Sequence, residues 1–149
     1  MTDYSLAGGC PCGKIKLEVH LTSEPGMYRP RACDCRFCVE HGGAAYISDV
    51  KGMAIIYSNA ISDLKFVRQG DEIAEFLLCA TCSQLLGALW RRDQRQHGCV
   101  NADSLFGKEF FGEKLSASPK NLDAKQKTER WRQLWFPVFR IVTALPSRQ

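Results

Sequence analysis

Short apolar–polar alternations, frequent Gly, Pro and Asp turns, and cysteines gathered in tight groups predict a mainly β protein with one short helix near its C-terminus. The 149 residues suit a single domain, residues 1–149, around one core. No apolar run approaches the roughly 20 residues that span a bilayer, so no membrane role is expected.

Taken in order, the polar residues 1–9 end in Gly8-Gly9 and read as a leader. Cys10-Pro11-Cys12-Gly13 is a tight turn in which Gly13 can take a positive φ. Lys14 to Leu21 alternates, with Ile15, Leu17, Val19 and Leu21 on one face, and predicts a half-buried strand. Ser23-Glu24-Pro25-Gly26 is a turn, and Met27 to Ala32 is extended. A helical turn at Val39-Glu40-His41 is stopped by Gly42-Gly43. Strands follow at Ala44–Ser48, Met53–Tyr57 and Leu64–Arg68, then a hairpin turn at Gln69–Glu72 and a strand from Ile73 to Leu78. Leu85–Trp90 and Gly98–Asn101 are further strands, with Arg91 to Gly98 as a polar loop between them. Ser118 and Pro119 read as N-cap and first residue of a helix that continues through residues 120–134. Trp131 and Trp135 share one face of it and read as cover for the core. Pro137 stops it, and Val138 to Val142 adds an edge strand.

The net charge is +4, a mild excess. Its basic spots, Arg91-Arg92 with Arg95 and Lys125, Lys127, Arg130 and Arg132, read as solvated faces. There is no basic stripe interleaved with groove-reading or stacking residues, which argues against a nucleic-acid partner. The first residues lack a basic start followed by an apolar stretch, so no secretory signal is expected and a cytoplasmic location is.

The eight cysteines carry the chemistry. Cys33, Cys35 and Cys38 fall within six residues, Cys10/Cys12 and Cys79/Cys82 form two short pairs, and Cys99 stands alone. In a reducing compartment clustered thiols point to metal rather than disulfides. A C-x-C pair rarely closes on itself, whereas thiolates on one ion must sit close together. The two pairs supply four ligands, the number of a closed structural zinc site. The triplet supplies three, the number of a catalytic site that keeps one exchangeable position. Two zinc ions per chain follow from that count. His41 or Cys99 could close the second site. If it stays open, a substrate thiol entering it would be held as a thiolate, the nucleophilic form. Three thiolates already neutralise the metal's charge, so such a site suits presenting a soft nucleophile to a small aldehyde better than splitting water.

Gly9-Cys10-Pro11-Cys12-Gly13, the Cys33-x-Cys35-x-x-Cys38 triplet followed by Gly42-Gly43-Ala44, and Phe76-Leu77-Leu78-Cys79-x-x-Cys82 resemble the glutathione-dependent formaldehyde-activating enzyme family, which includes centromere protein V. The resemblance covers about residues 8–106, leaving 107–149 as a C-terminal extension. It implies stacked antiparallel β-sheets, a structural zinc on Cys10, Cys12, Cys79 and Cys82, and a catalytic zinc on Cys33, Cys35 and Cys38. It also implies a carbon–sulfur lyase joining glutathione and formaldehyde into S-hydroxymethylglutathione. Where the family usually has Gly after its last ligand cysteine, this chain has Ser83. Arg29, Arg31 and Arg36 are candidates to meet the carboxylates of such a thiol. The rival expectations are a non-catalytic, zinc-stabilised binding module and a redox or metal sensor using the triplet.

Overall fold

The computed structural model describes residues 4–68, 74–92, 95–117 and 122–143. The expected turn at 69–72, the start of the strand at Ile73 and the Ser118-Pro119 helix start lie outside them.

Two β-sheets and two helices form the framework. One sheet has four strands: β1 (Tyr4–Gly9), β2 (Lys16–Leu21), β5 (Met53–Tyr57) and β11 (Val138–Val142), in the order β1-β2-β5-β11. The other has seven: β3 (Arg31–Cys33), β4 (Ala45–Ile47), β6 (Leu64–Arg68), β7 (Glu75–Cys79), β8 (Leu85–Arg92), β9 (Arg95–Asn101) and β10 (Leu115–Ala117). Their order is β10-β3-β4-β9-β8-β7-β6. Pairing is antiparallel except at two edges, where β10 runs parallel to β3 and β11 parallel to β5. The helices are α1 (Arg36–Glu40) and α2 (Ala124–Leu134).

The large sheet lies between two cores, and the alternation of its side chains is interrupted in β8 by a register shift opposite Leu77 and Leu78. Leu77, Leu86, Leu89 and Val100 point to one side and pack with Leu17, Val19, Leu21 and Ile56 of the small sheet. Their neighbours Leu78, Leu85, Ala88, Trp90 and Cys99 point to the other side and pack with Phe37 of α1 and with Trp131 and Trp135. The two tryptophans stack at 4.6 Å between ring centroids. They are cover for the second core, as the four-residue spacing predicts.

The structure corrects three local expectations. Residues 4–9 are not a leader but β1, paired with β2 from Tyr4↔Leu21 to Gly9↔Lys16. As an edge strand it needs little apolar alternation, and its side chains are mostly exposed. Gly8 in it lies so close to the Ser104 carbonyl that a Cβ would collide with it. The polar segment after Trp90 is not a loop throughout: β8 and β9 continue as a ladder to Arg92↔Arg95. It reads as a loop because its arginines face solvent, beyond the reach of either core. The capping residue of α2 is Asp123, whose carboxylate accepts from the Gln126 N–H at 2.8 Å while Gln126 Oε1 accepts from the Asp123 N–H at 2.9 Å. This reciprocal capping box fixes where the helix starts.

Candidate metal centres

Each cysteine pair sits on a loop whose backbone aims both sulfurs inward. The Cys10 N–H donates to the Ile15 carbonyl at 3.2 Å and the Gly13 N–H to the Cys10 carbonyl at 3.0 Å, with Gly13 at φ 84°. The second loop repeats the outer closure over the same span and closes its inner bond one residue wider. The Cys79 N–H donates to the Gln84 carbonyl at 3.1 Å and the Ser83 N–H to the Cys79 carbonyl at 2.9 Å. Here a serine takes the left-handed conformation, with Ser83 at φ 65°.

The Sγ atoms of Cys10, Cys12, Cys79 and Cys82 all lie within 4.8 Å of one another. Cys10 and Cys12 are 3.4 Å apart, and Cys12 and Cys79 3.6 Å. Four sulfurs in a tetrahedron with metal–sulfur bonds of about 2.3 Å stand about 3.8 Å apart. The four residues therefore fit a metal ion with little movement. Burial pushes the Cys82 thiol up, but N–H groups of Gln84 and Cys12 and the neighbouring thiols outweigh it and bring it down to about 7. Cys12, by contrast, is pushed up to about 12 and burial pushes Cys79 up, so without a metal the ionisation of the group is carried by Cys82. All eight cysteines are free.

The triplet is assembled by β3 and α1 alone. Cys33 ends β3, its N–H donating to the Ala44 carbonyl at 3.0 Å. Cys35 is the N-cap of α1, its sulfur accepting from the Cys38 N–H at 3.5 Å. Gly42 and Gly43, at φ 86° and 85°, turn the chain back, and the Gly43 N–H donates to the Cys38 carbonyl at 2.8 Å. The helical turn therefore begins earlier than the expected Val39–His41, because a ligand sulfur caps it. The three Sγ atoms lie within 4.8 Å of one another. Hydrogen bonds from Cys33 and then Cys38 bring Cys35 down to about 2, whereas the bond to Cys35 pushes Cys33 up to about 11. Cys38 is pushed up, first by Cys33.

Among the described residues no fourth Cys, His, Asp or Glu joins the triplet. His41 turns away: its Nδ1 bonds the Phe37 carbonyl oxygen at 2.8 Å, and its ring stacks on Phe37 at 4.1 Å. Cys99 lies in the second core, 2% exposed, and burial pushes its thiol up to about 12. Neither closes the site.

The three candidate arginines separate. Arg36 is exposed and pairs with Glu40 at 2.9 Å. Arg29 donates to the Glu113 carbonyl at 2.9 Å at the surface. Arg31 is half-buried, on the face of β3 that also carries Cys33, and donates to Ser48 Oγ at 2.8 Å. One residue escaped the reading of the sequence. Tyr46, the register partner of Arg31, places its hydroxyl 3.0 Å from Cys38 Sγ. Burial, then the Cys38 and Cys99 sulfurs, push that hydroxyl well above its usual range, so it stays protonated beside the sulfur. Its position in the short strand that follows the triplet was the available signal.

No helix among the described residues is long and apolar enough to cross a membrane. No protein-family model matches the chain, and no curated protein matches it. Among solved structures, the crystal structure of a Rhodobacter sphaeroides protein, determined as a structural-genomics target, is similar over 90% of this chain and 98% of its own, with 21% identity and a TM-score of 0.48.

Proposed function

We propose that the chain is a two-zinc enzyme of the carbon–sulfur lyase type, acting in the cytoplasm on a thiol such as glutathione and a small aldehyde such as formaldehyde. The observation that carries this reading is a three-sulfur group with no fourth protein ligand among the described residues. The resemblance of the seven-cysteine pattern to the formaldehyde-activating family supports the same substrates.

Cys10, Cys12, Cys79 and Cys82 would hold the structural zinc, and Cys33, Cys35 and Cys38 the catalytic one. Bound at the triplet, zinc would lower the pKa of a thiol that takes the free position and so favour its nucleophilic form. The rest is the work of this chain. The Tyr46 hydroxyl holds the Cys38 sulfur, and the cap on α1 holds Cys35. Phe37, Trp131 and Trp135 pack in the same core and keep water from that side. In the adduct step a carbon–sulfur bond forms, the carbonyl π pair moves onto oxygen, and the proton lost by the thiol ends on that oxygen as a hydroxyl. The reverse step releases thiol and aldehyde.

The rival reading, a non-catalytic binding module, would be favoured by a second site closed by His41 or Cys99, and both residues lie outside the triplet. The test is exchange between free formaldehyde and its glutathione adduct, followed by NMR with zinc-loaded protein. Cys35→Ser should abolish catalysed exchange while the far-ultraviolet circular dichroism stays that of the parent. Exchange at the parent rate in that variant would overturn the assignment.

A further inference from the structure

A groove of about 510 Å³ opens where the far end of the β8–β9 hairpin meets β11, lined by Arg91, Arg95, Gln96 and residues 137–140. It lies at the seam of the two sheets, since β9 belongs to the large sheet and β11 to the small one. Bonds between the two walls hold it open. Gln96 Nε2 donates to the Phe139 carbonyl at 2.8 Å. The Gly98 N–H donates to the Phe136 carbonyl at 3.1 Å, and the Phe136 N–H returns the bond at 2.8 Å. The Phe139 ring lies so close to Gly98 that a Cβ there would collide with it. A groove fixed in this way exists before any ligand arrives, and its size falls within the range of about 300–1,000 Å³ usual for small-molecule sites.

The charge of the groove is one-sided. Among the described residues three arginines line it and no carboxylate does. Arg91 is met by Glu75 at 3.1 Å, a carboxylate it shares with Arg68 at 3.9 Å. Arg95 and Arg140 have no ion pair among the described residues. Arg95 also stands opposite Arg92 in the ladder, and like charges placed so oppose strand pairing. Arg92 finds an attractive partner in the Trp90 ring, 5.9 Å from its centroid, whereas Arg95 is left with the groove.

The lining also limits what the missing anion is attached to. The apolar surface on offer is small, Pro137 and the exposed Val138, because the Phe139 ring is buried. No exposed aromatic ring lines the groove as a platform for a nucleobase. Arginine forks match phosphate oxygens two at a time. A phosphate monoester carries about −1.5 to −2 charges at pH 7, enough for both unpaired guanidiniums, where a carboxylate supplies one.

We propose that this groove binds a small phosphate ester, held chiefly by Arg95 and Arg140. No cysteine takes part, so the site stands whether or not the zinc reading does.

Glycerol phosphate, glycerate and glycerol offer closely similar bodies with a dianion, a monoanion and no charge. Each is titrated into the zinc-loaded full chain, with backbone amide shifts by NMR for location and calorimetry for affinity. Glycerol phosphate should bind at least tenfold more tightly than glycerate, glycerol should not bind, and the largest shifts should fall at residues 95–98 and 138–140. Arg95→Gln and Arg140→Gln change exposed side chains and should keep the fold. Each should weaken glycerol phosphate at least fivefold, and the double variant should abolish its binding. Lys108→Gln removes the same charge from a surface turn that does not line the groove, and should leave affinity unchanged. No binding of the ester, equal affinity for ester and glycerate, or largest shifts elsewhere would overturn the site. So would affinity that survives in the double variant, or a loss in Lys108→Gln as large as that in Arg95→Gln. Tighter binding of a triglutamate peptide than of the ester would overturn it too, because the groove would then be a docking place for an acidic chain.

Discussion

Ser83 and Asp49 show two ways in which one residue sets local free energy. Ser83 holds φ 65° because the second cysteine loop must curl to bring Cys79 and Cys82 to the same point. A side chain in that conformation costs about 1 kcal/mol relative to glycine. Ser83→Gly should therefore stabilise the zinc-loaded protein by up to about 1 kcal/mol, reduced by the greater freedom of glycine in the unfolded chain. Thermal unfolding at fixed zinc checks it, and an unchanged or lower midpoint counts against stored strain. Asp49 works through its acceptors. Burial raises its carboxyl, but the Tyr28 hydroxyl, the Thr22 N–H and hydroxyl, and the Lys51 N–H outweigh this and leave it below its ordinary value. Its folded pKa lies below an unfolded value of about 3.9, so its contribution is complete above that pH and is lost as pH falls through the folded pKa. Asp49→Asn should cost about 1–3 kcal/mol at pH 6, and its deficit should shrink towards pH 3. Urea midpoints of parent and variant across that range give the difference directly, and it cancels the acid lability that metal thiolates impose on both. At this scale the sequence is legible where chemistry forces spacing: the seven grouped cysteines are read from intervals alone. It is silent on Ser48, whose hydroxyl donates to the Leu134 carbonyl only because α2 packs there across 86 residues.

Among the elements, β8 and α2 decide how the site is covered. The run Leu85-Leu86-Gly87-Ala88-Leu89-Trp90 is apolar on both faces because both faces are buried, and it reads as a strand by composition and length. Which residue faces which core becomes known only once the small sheet and α2 have taken opposite sides. Elements outside the cores were harder to read. β1 lies at an edge, and the far end of the β8–β9 hairpin carries arginines, of which Arg91 pairs with Glu75 at 3.1 Å. Such segments owe their strand form to pairing with the next strand rather than to an apolar pattern of their own. Trp131 owes its burial to the same packing. It stacks on Trp135 at 4.6 Å and meets the Trp90 ring at 5.7 Å. Trp131→Ala should cost about 3–5 kcal/mol in equilibrium unfolding, the usual range for removing a large buried aromatic. Zinc at the four-cysteine group should be retained, because that group lies on the other side of the large sheet. A loss below about 1 kcal/mol would mean that α2 is a loosely held cover.

At the scale of the molecule, the two sulfur groups differ in what they connect. Cys10 follows β1 of the small sheet, and Cys79 ends β7 of the large one, so a metal on the first group fastens one sheet to the other. The triplet is contained within β3 and α1, adjacent in sequence and already joined by the Cys38 N–H bond to Cys35. A metal there spans six residues and closes no long loop, so it adds little to the folding free energy of the whole. Structural zinc sites, by contrast, contribute apparent binding free energies of about 10–16 kcal/mol directly to folding. Chelation should therefore proceed in two stages. On the proposed two-zinc reading, the metal of the three-sulfur site should leave first, at low chelator concentration, and far-ultraviolet circular dichroism should hold. The second should leave together with the β signal, and its departure should coincide with loss of the tryptophan emission of the folded state. Cys12→Ser should remove the second stage and leave a protein that unfolds at the chelator concentration, or the temperature, at which the parent is intact. Release of both ions in one step, with the fold retained throughout, would mean that the sheets hold together by their shared apolar face alone and that the first group is not the staple its position suggests.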